Sequence, residues 1–255
     1  MTKNKVLFFL KGSIEIVDGE GKHEFPYHTH DSLLIGVVKS GEARFAIGSN
    51  EYLLGKGMTY LVPPNVGISI NPIIPYSYLT ICIKNHKTTR FGQYKLDLYV
   101  LNNMGECLIG LCERYKLKLL SDEEFINNLI KTLELQDNEV NQNKVCTSAA
   151  IMDAIIYIKE HVNDKFLLDE LTKAVHLSKY HLVRVFKNEM GITPKQYDQQ
   201  CKIRRVKEWA LQEKAGVDIA TNLNYSNQGH LCSMFKRYMG ISMNEYKSSV
   251  HKEEQ

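Results

Sequence analysis

Two stretches of this sequence, 49 residues apart, are copies of one pattern and decide the fold of the C-terminal half. Residues 181–197 read HLVRVFKNEMGITPKQY, and residues 230–246 read HLCSMFKRYMGISMNEY. Eight residue types coincide in register, and in both copies the apolar positions recur at helical spacing until Gly191 or Gly240. The repeat therefore predicts two equivalent helical units.

Each copy follows a short helix and a tight turn. Before the first copy, a helix is predicted over residues 169–174. Its expected buried positions are Leu171, Ala174 and Val175. Ser178 is placed to cap the next helix, because its hydroxyl can accept from an exposed amide at the helix start. His176 stands where the turn needs a left-handed backbone, which histidine tolerates.

The second copy is preceded by the same helix and turn over residues 219–226, with Asn224 at the left-handed position. A helix over about residues 194–210 joins the two units. An earlier helix is expected to bury Ile151, Ile155, Ile158 and Val162. The chain from residue 149 onward therefore contains two helix-turn-helix units.

The duplicated pattern resembles the DNA-binding domain of AraC-type transcriptional regulators over about residues 150–248. The resemblance includes the signature Phe-Lys-x-x-Met-Gly-Ile-Ser/Thr after each second helix. It implies a sequence-specific DNA-binding regulator whose N-terminal cupin-like domain binds a small-molecule effector. It also implies a homodimer that binds double-stranded promoter DNA, and contact with RNA polymerase if the protein is an activator.

Four positions depart from the family pattern. Met243 stands where the family usually has proline, and Ser233 stands where a base-facing arginine is frequent. His176 and Asn224 replace glycines. We therefore expect the second unit to read DNA less stringently than the first.

The second helix of each unit is expected to lie in the major groove of DNA. In the first unit the inward stripe is Leu182, Val185, Phe186 and Met190. The outward set is Ser178, Lys179, Tyr180, Val183, Arg184 and Lys187. Arg184 can bond a guanine edge bidentately, and Tyr180 or Val183 can pack against a thymine methyl. Ser178 and Lys179 suit phosphate contacts.

In the second unit the outward set is Asn227, Gln228, His230 and Ser233, extended by Arg237, and Gln228 suits an adenine edge. The alternative for both outward sets is an ordinary solvated surface. The joining helix carries a basic cluster, Lys202, Arg204, Arg205 and Lys207. This cluster either neutralises DNA phosphates or simply solvates the helix.

The first hundred residues alternate short β-branched or aromatic runs with Gly and Pro turns. The runs cover residues 33–38, 43–47, 58–62 and 78–83. This pattern is typical of a small sandwich or barrel, and Phe45 and Ile47 are expected to face inward. The predicted fold class is therefore α+β and multidomain, with an N-terminal cupin-like β-barrel plus helices and a C-terminal all-α domain.

His28 and His30 are the residues of the barrel that suggest metal chemistry. Two histidines at i and i+2 on a strand point the same way, as ligands of a divalent metal would. At the spacings where cupin sites usually place further ligands, however, this chain has Leu34 and Ile68. We therefore predict no metal site.

A small barrel without metal can still hold one small molecule. The candidate effector-binding residues are Tyr27, His28, His30, Arg44, Phe45, Tyr60 and Tyr78. Arg44 is the expected anchor for an anionic or hydroxylated ligand. No cofactor is predicted.

Between the two halves, Ser121 and Glu124 have the spacing of a capping box, and an apolar stripe follows. The stripe is Phe125, Leu129, Ile130 and Leu133. It either packs on the barrel or seals a dimer. The predicted domains are residues 1–92 (cupin-like effector-binding barrel), 93–136 (helical dimerisation segment), 137–148 (linker) and 149–250 (DNA-binding domain).

Composition agrees with a two-domain protein of 255 residues and net charge +3. Residues 1–148 hold 16 basic and 16 acidic side chains, so the whole excess lies in the helical half. The N-terminal apolar burst is too short for a signal peptide, and no run is long enough for a membrane span. The six cysteines include no CxxC pair and are expected to be buried reduced thiols. A cytoplasmic location is predicted.

Two alternatives to an effector-controlled regulator stay open. The first is a cupin-type metal-dependent enzyme fused to a DNA-binding domain, which would need a metal at the histidine pair. The second is a constitutive regulator whose N-terminal domain only dimerises. The favoured interpretation is a regulator that is not an enzyme.

Overall fold

The computed structural model describes residues 4–48, 50–84, 99–101, 104–134 and 147–252. Residues 137–146 of the predicted linker, which include Cys146, lie outside the described residues. The predicted fold class is confirmed, because a β-rich domain with two sheets precedes a helical domain. Within the described residues, no helix is both long and apolar enough to cross a membrane.

The N-terminal domain consists of two facing sheets. Its strands are β1 (Lys5–Lys11), β2 (Ile14–Gly21), β3 (Phe25–Thr29), β4 (Leu33–Ser40), β5 (Glu42–Ile47), β6 (Asn50–Gly55), β7 (Thr59–Val62), β8 (Gly67–Pro72), β9 (Tyr76–Ile83) and β10 (Tyr99–Leu101). One sheet has the order β10-β7-β4-β9-β2-β1, and the other has the order β3-β8-β5-β6. The four predicted strands correspond to β4, β5, β7 and β9.

The interior of the barrel follows the alternation predicted for β5. Phe45 and Ile47 are buried, whereas Arg44 is exposed. Leu34 and Ile68, which stand at the cupin ligand spacings, are buried in the same apolar cluster as Phe45. This cluster lies between the two sheets.

Two helices, α1 (Gly105–Lys116) and α2 (Asp122–Glu134), pack against the outer face of the larger sheet. The predicted capping box of α2 is confirmed, since Ser121 N donates to Glu124 Oε2 over 2.8 Å and Glu124 N donates to Ser121 Oγ over 3.2 Å. Phe125 and Leu129 are buried against strand residues such as Ile81. The stripe of α2 therefore packs on the barrel.

The C-terminal domain contains seven helices in the described residues. They are α3 (Ala149–Glu160), α4 (Leu168–Ala174), α5 (Lys179–Met190), α6 (Pro194–Leu211), α7 (Gly216–Asn222), α8 (Gln228–Met239) and α9 (Met243–Ser249). The helix-turn-helix units are α4–α5 and α7–α8, and α6 joins them. A final strand, β11 (Val250–Lys252), pairs in parallel with β1 and extends the larger sheet of the barrel.

The turns of both units have the predicted backbone. His176 has φ 53° and Asn224 has φ 58°, so both are left-handed. Gly191 and Gly240, with φ 73° and 74°, end α5 and α8. The prediction that Ala174 is buried is wrong: α4 is short, Leu171 and Val175 share its core face, and Ala174 is exposed.

Candidate nucleic-acid interface and ligand cavity

The outer face of α5 is polar and accessible. Tyr180 is 78% exposed, and Arg184 is exposed beside it, with its guanidinium carbon 5.8 Å from the Tyr180 ring centroid. Lys187 is exposed one turn further along, and Val183 is half-buried. Leu182, Phe186 and Met190 on the opposite side are buried, as the predicted stripe requires. The helix can therefore present Tyr180 and Arg184 to a groove.

The start of α5 is fixed by its own side chains. Ser178 Oγ accepts a hydrogen bond from His181 N over 3.3 Å, which confirms the predicted cap. Lys179 forms an ion pair with Asp169 of α4. Both residues are exposed, so a phosphate contact by Lys179 would compete with Asp169.

The start of α8 has the same architecture with different chemistry. Asn227 Oδ1 accepts from His230 N over 2.8 Å, and His230 Nδ1 lies 3.1 Å from Ser226 Oγ. Gln228 and Ser233 are exposed. The first turns of this face offer neutral polar groups, and Ser233 occupies the repeat position that Arg184 has in α5. Lys236 and Arg237 are exposed further along α8, and Lys236 is the repeat equivalent of Lys187.

The prediction for the basic cluster on α6 is wrong for three of its four residues. Lys202 is buried and pairs with Asp198 over 3.3 Å. Arg204 donates to the Thr29 carbonyl over 3.1 Å, and Lys207 pairs with Glu15 over 2.7 Å. Arg204 and Lys207 are held by the barrel, against which α6 lies, and Lys202 is held by Asp198 one turn earlier on α6 and by the Asp164 carbonyl. They are not available to solvate α6 or to bind DNA phosphates.

A cavity of about 250 Å³ lies between the barrel and α6. Its barrel side is mainly apolar and aromatic, with contributions from β1, β2, β3, β4, β7, β8 and β9. Its helical side includes Gln200, Ile203, Arg204, Lys207 and Leu211 of α6 and Tyr246 of α9. The cavity is therefore shared by both domains.

Four of the predicted effector-binding residues line this cavity: His28, His30, Tyr60 and Tyr78. The structure places the other three elsewhere. Phe45 is in the apolar core behind Tyr60, with ring centroids 4.9 Å apart. Arg44 is on the outside of the barrel, 3.6 Å from Glu51, because it alternates with Phe45 along β5. Tyr27 faces the first helix-turn-helix unit.

The α6 side of the cavity was not predicted from the sequence. The sequence pattern predicts Arg204 and Lys207 on a solvated or phosphate-facing side of α6. They follow Ile203 by one and four residues, however, and Ile203 is buried. A basic residue next to a buried apolar position on a helix is a weak signal of an internal charge. It does not indicate which domain provides the partner.

The two cations of α6 that line the cavity, Arg204 and Lys207, have different partners. Burial alone would lower the pKa of Lys207, but the adjacent Glu15 carboxylate, 2.7 Å away, raises it, so Lys207 is held as a cation. Arg204 bonds the neutral Thr29 carbonyl and Cys201 Sγ, and among the described carboxylates none lies within ion-pair distance of it. Asp31 also lines the cavity without such a contact.

The histidine pair is neutral. Burial lowers the pKa of His28 to about 4, and burial together with His28 lowers the pKa of His30 well below its usual value. The two rings are 4.8 Å apart. Within the ranges that the structure covers, no group of three His, Cys, Asp or Glu side chains is arranged to hold a metal ion.

Comparison with known proteins gives each domain a family. Residues 13–89 match the AraC-like ligand binding domain, and residues 171–249 match a helix-turn-helix domain. The uncharacterized HTH-type transcriptional regulator YbfI of Bacillus subtilis is 24% identical over 224 residues, which are 82% of each chain. The lactose operon transcription activator of Staphylococcus xylosus is 18% identical and covers 88% of this chain and 86% of its own.

The fold is also similar to solved structures of ToxT from Vibrio cholerae. One of them, from strain O395, has a TM-score of 0.65 at 13% identity and covers 94% of this chain and 98% of that chain. A structure of ToxT with an unsaturated fatty acid bound has a TM-score of 0.64 at 14% identity and covers 100% of both chains. The similarity to ToxT concerns the fold. The two domain matches and the curated relatives identify the chain as a member of the AraC-type family of DNA-binding transcriptional regulators with a ligand-binding N-terminal domain.

Proposed function

We propose that α5 and α8 are the recognition helices and that α5 makes the more specific base contact. The observation that carries this proposal is Arg184. It is exposed on the outer face of α5, and no described carboxylate pairs with it. A guanidinium in this position can bond both acceptors of a guanine edge. Its repeat equivalent Ser233 is smaller and uncharged, so α8 contributes less discrimination.

The test begins with selection of double-stranded DNA from a random pool by the full-length chain. Fluorescence anisotropy then gives the affinity for the selected DNA and for a scrambled sequence of equal composition. We expect at least about a 10³-fold preference for the selected sequence, and an affinity that falls steeply between about 50 and 200 mM salt. Equal affinity for both sequences would contradict the proposal.

The effector, in this proposal, is an amphipathic carboxylate. Its apolar body would lie along the barrel wall, and its charge would lie beside Arg204. Two features support this chemistry. The wall is mostly apolar and aromatic. The charge of Lys207 is paired with Glu15, whereas Arg204 has neutral hydrogen-bond partners and feels the Asp31 carboxylate only without an ion-pair contact. A carboxylate can accept two parallel hydrogen bonds from one guanidinium.

A panel of benzoate, decanoate and palmitoleate, with decanol and palmitoleyl alcohol as neutral controls, tests this class. We expect at least one acid to raise the melting temperature and to change DNA affinity about fivefold or more, while its alcohol does not. Arg204→Gln should lose the response. The matched control is Arg205→Gln, since Arg205 is the next residue and bonds Glu208 instead.

Three outcomes would contradict an anionic effector held by Arg204. The acids and alcohols could act equally, no acid could bind, or Arg205→Gln could lose the response as fully as Arg204→Gln. Circular dichroism of both variants separates loss of binding from loss of folding.

The proposal also includes a non-enzymatic role, a cytoplasmic location where promoter DNA is accessible, and a homodimer. The curated relatives YbfI and LumQ, which match 82% and 88% of this chain, are named as regulators, and this supports the first point. Leu117 and Leu119 near the α1–α2 turn are 67% and 64% exposed, an apolar surface suited to a second copy. Light scattering on the full chain should give twice the monomer mass, and Leu117→Asp with Leu119→Asp should restore the monomer mass. A contact with RNA polymerase applies if the protein is an activator.

A further inference from the structure

One segment of the barrel touches the cavity and both helix-turn-helix units. This segment, residues 23–30, comprises His23, Glu24, β3 and His30, and we call it the β3 segment. In its sheet β3 is an edge strand that pairs only with β8 among the described strands. A free strand edge leaves backbone groups that need partners, and here the C-terminal domain supplies them.

The joining helix α6 is hydrogen-bonded to this free edge. Gln200 Oε1 accepts from Thr29 N over 2.9 Å and from Thr29 Oγ1 over 2.8 Å, and Gln200 Nε2 donates to the Tyr27 carbonyl over 3.1 Å. Arg204 donates to the Thr29 carbonyl over 3.1 Å. The β3 segment is thus attached to the helix that connects the two DNA-binding units.

The same segment contacts equivalent points on both recognition helices. Tyr27 lies against Gly191 at the end of α5, where an added Cβ would be 2.7 Å from Tyr27 Cε1. His23 lies against Gly240 at the end of α8, where an added Cβ would be 3.0 Å from His23 Cδ2. The His23 Nε2 atom is also 3.0 Å from the Arg237 carbonyl oxygen. Gly191 and Gly240 are the same position of the repeat.

The other side of the segment is cavity wall. Phe25, His28 and His30 all line the cavity. The pairing of β3 with β8 shifts register between Phe25 and His28, and a bulge of this kind re-aims the side chains that follow it. The Phe25 ring is in edge contact with the His23 ring at 4.7 Å. A displacement of Phe25 would therefore move His23, which contacts Gly240 together with Asn4, whose Nδ2 donates to the Gly240 carbonyl over 3.0 Å.

We propose that the β3 segment couples occupancy of the cavity to the relative position of the two recognition helices. This inference rests on the proposed function, since it requires both helices to read DNA. A ligand that displaces Phe25 or His28 moves the segment that holds Gly191 and Gly240. Two boxes on one duplex can be bound together only at one spacing of the helices. A change in that spacing therefore alters affinity for a two-box site.

The experiment measures a spacing preference with the full-length chain. It compares the affinity for the selected DNA with the affinity for the same DNA carrying two extra base pairs between the boxes. We expect His23→Ala and Tyr27→Ala each to lower this ratio at least about fivefold. The double variant should lower it no more than about twofold further, because both contacts fix the same spacing through one segment and their effects are therefore not additive. If Tyr27→Ala does not fold, Tyr27→Leu replaces it.

A cavity-side variant and a control complete the design. Phe25→Leu changes the cavity wall while keeping His23 and Tyr27, and it should lower the ratio at least about threefold. The control is Tyr197→Phe, which removes the 3.2 Å hydrogen bond from Tyr197 to Asn65 in the same domain interface. It should leave the ratio within about twofold of the original.

Each remaining outcome overturns the inference. A shared holding element would be excluded by any of three results. The losses of spacing preference in the double variant could be additive, Tyr197→Phe could lose as much spacing preference as His23→Ala, or the selected DNA could contain a single box. An unchanged ratio in Phe25→Leu would make the segment a fixed spacer with no coupling to the cavity. Failure to select any DNA would instead overturn the proposed function.

Discussion

The two helix-turn-helix units share one sequence pattern but have different surroundings. Phe186 and Phe235 occupy the same repeat position and are both fully buried. The core around Phe186 is built from helices of the C-terminal domain, with Tyr27 of the barrel at its edge. The core around Phe235 includes Val6 and Phe8 of β1. A duplicated motif can therefore keep its internal contacts while one copy completes its core with another domain.

The two units also differ in the side chains that α5 and α8 expose to solvent. The first unit presents Arg184 and Tyr180 to solvent. At the repeat position of Arg184 the second unit presents the neutral Ser233, and its exposed cations, Lys236 and Arg237, lie near the end of α8. The second unit is also joined to the barrel by β11, which pairs with β1. This difference supports the proposal that the first unit makes the more specific base contact, and the second unit is more closely linked to the N-terminal domain.

The largest effect is expected from a substitution in the core that the second unit shares with β1. Phe8→Ala should lower the free energy of unfolding by about 3–5 kcal/mol, because it removes a buried ring that packs on Tyr246 with centroids 4.9 Å apart. Hydrogen exchange should accelerate in residues 216–249 and remain slow in residues 168–192. The matched variant Phe186→Ala should show the reverse pattern. Equal acceleration of both units by Phe8→Ala would show that their cores are not separate.

The free energy of unfolding should depend on pH through His28, which lines the cavity between the two domains. The pKa of His28 is about 4 in the folded protein because of burial, and an unfolded histidine has a pKa near ~6.5. The unfolded chain therefore binds the proton first, and stability falls as pH drops from about 6.5 towards 4. Between about pH 7.5 and 5 the loss from His28 is at most about 2 kcal/mol. Urea unfolding of the protein and of His28→Gln measures it, and an identical pH dependence would contradict the assignment.

The smallest expected effect tests what the two units have in common. Ser178 and Asn227 cap equivalent helices, each by accepting from the backbone N–H three residues ahead. Ser178→Ala and Asn227→Ala should each cost about 1 kcal/mol. Thermal unfolding of both variants measures the costs. A difference much larger than this would mean that the start of one helix is held by other contacts.

Local features were predictable from the sequence because they depend on neighbours in the chain. The repeat predicted both helix-turn-helix units, and His176 and Asn224 have the predicted left-handed backbone. The capping box at Ser121 and the alternation along β5 were likewise correct. In each case, spacing along the chain determines which groups meet.

The features that sequence reasoning missed depend on how the domains pack. Lys202, Arg204 and Lys207 have the pattern of a solvated helix face. Asp198, the partner of Lys202, is one turn earlier on the same helix, but Thr29 and Glu15 meet Arg204 and Lys207 only in the folded chain. The predicted roles of Tyr27, Arg44 and Phe45 in effector binding remain untested, and the structure places all three outside this cavity. For Arg44, the side of the strand was already given by its alternation with Phe45, so the proposed anchor conflicted with the predicted inward face.

Arg184 and Ser233 occupy the same position of the repeat, and we propose that they contribute unequally to base recognition in DNA. The direct test measures the affinity of the full-length protein, of Arg184→Ala and of Ser233→Ala for every single-base variant of the selected site. We predict that Arg184→Ala loses about 1–3 kcal/mol of binding and loses its base preference at one position of one box. Ser233→Ala should keep every preference within about twofold. Equal losses in the two variants, or a loss of base preference only in Ser233→Ala, would contradict the account.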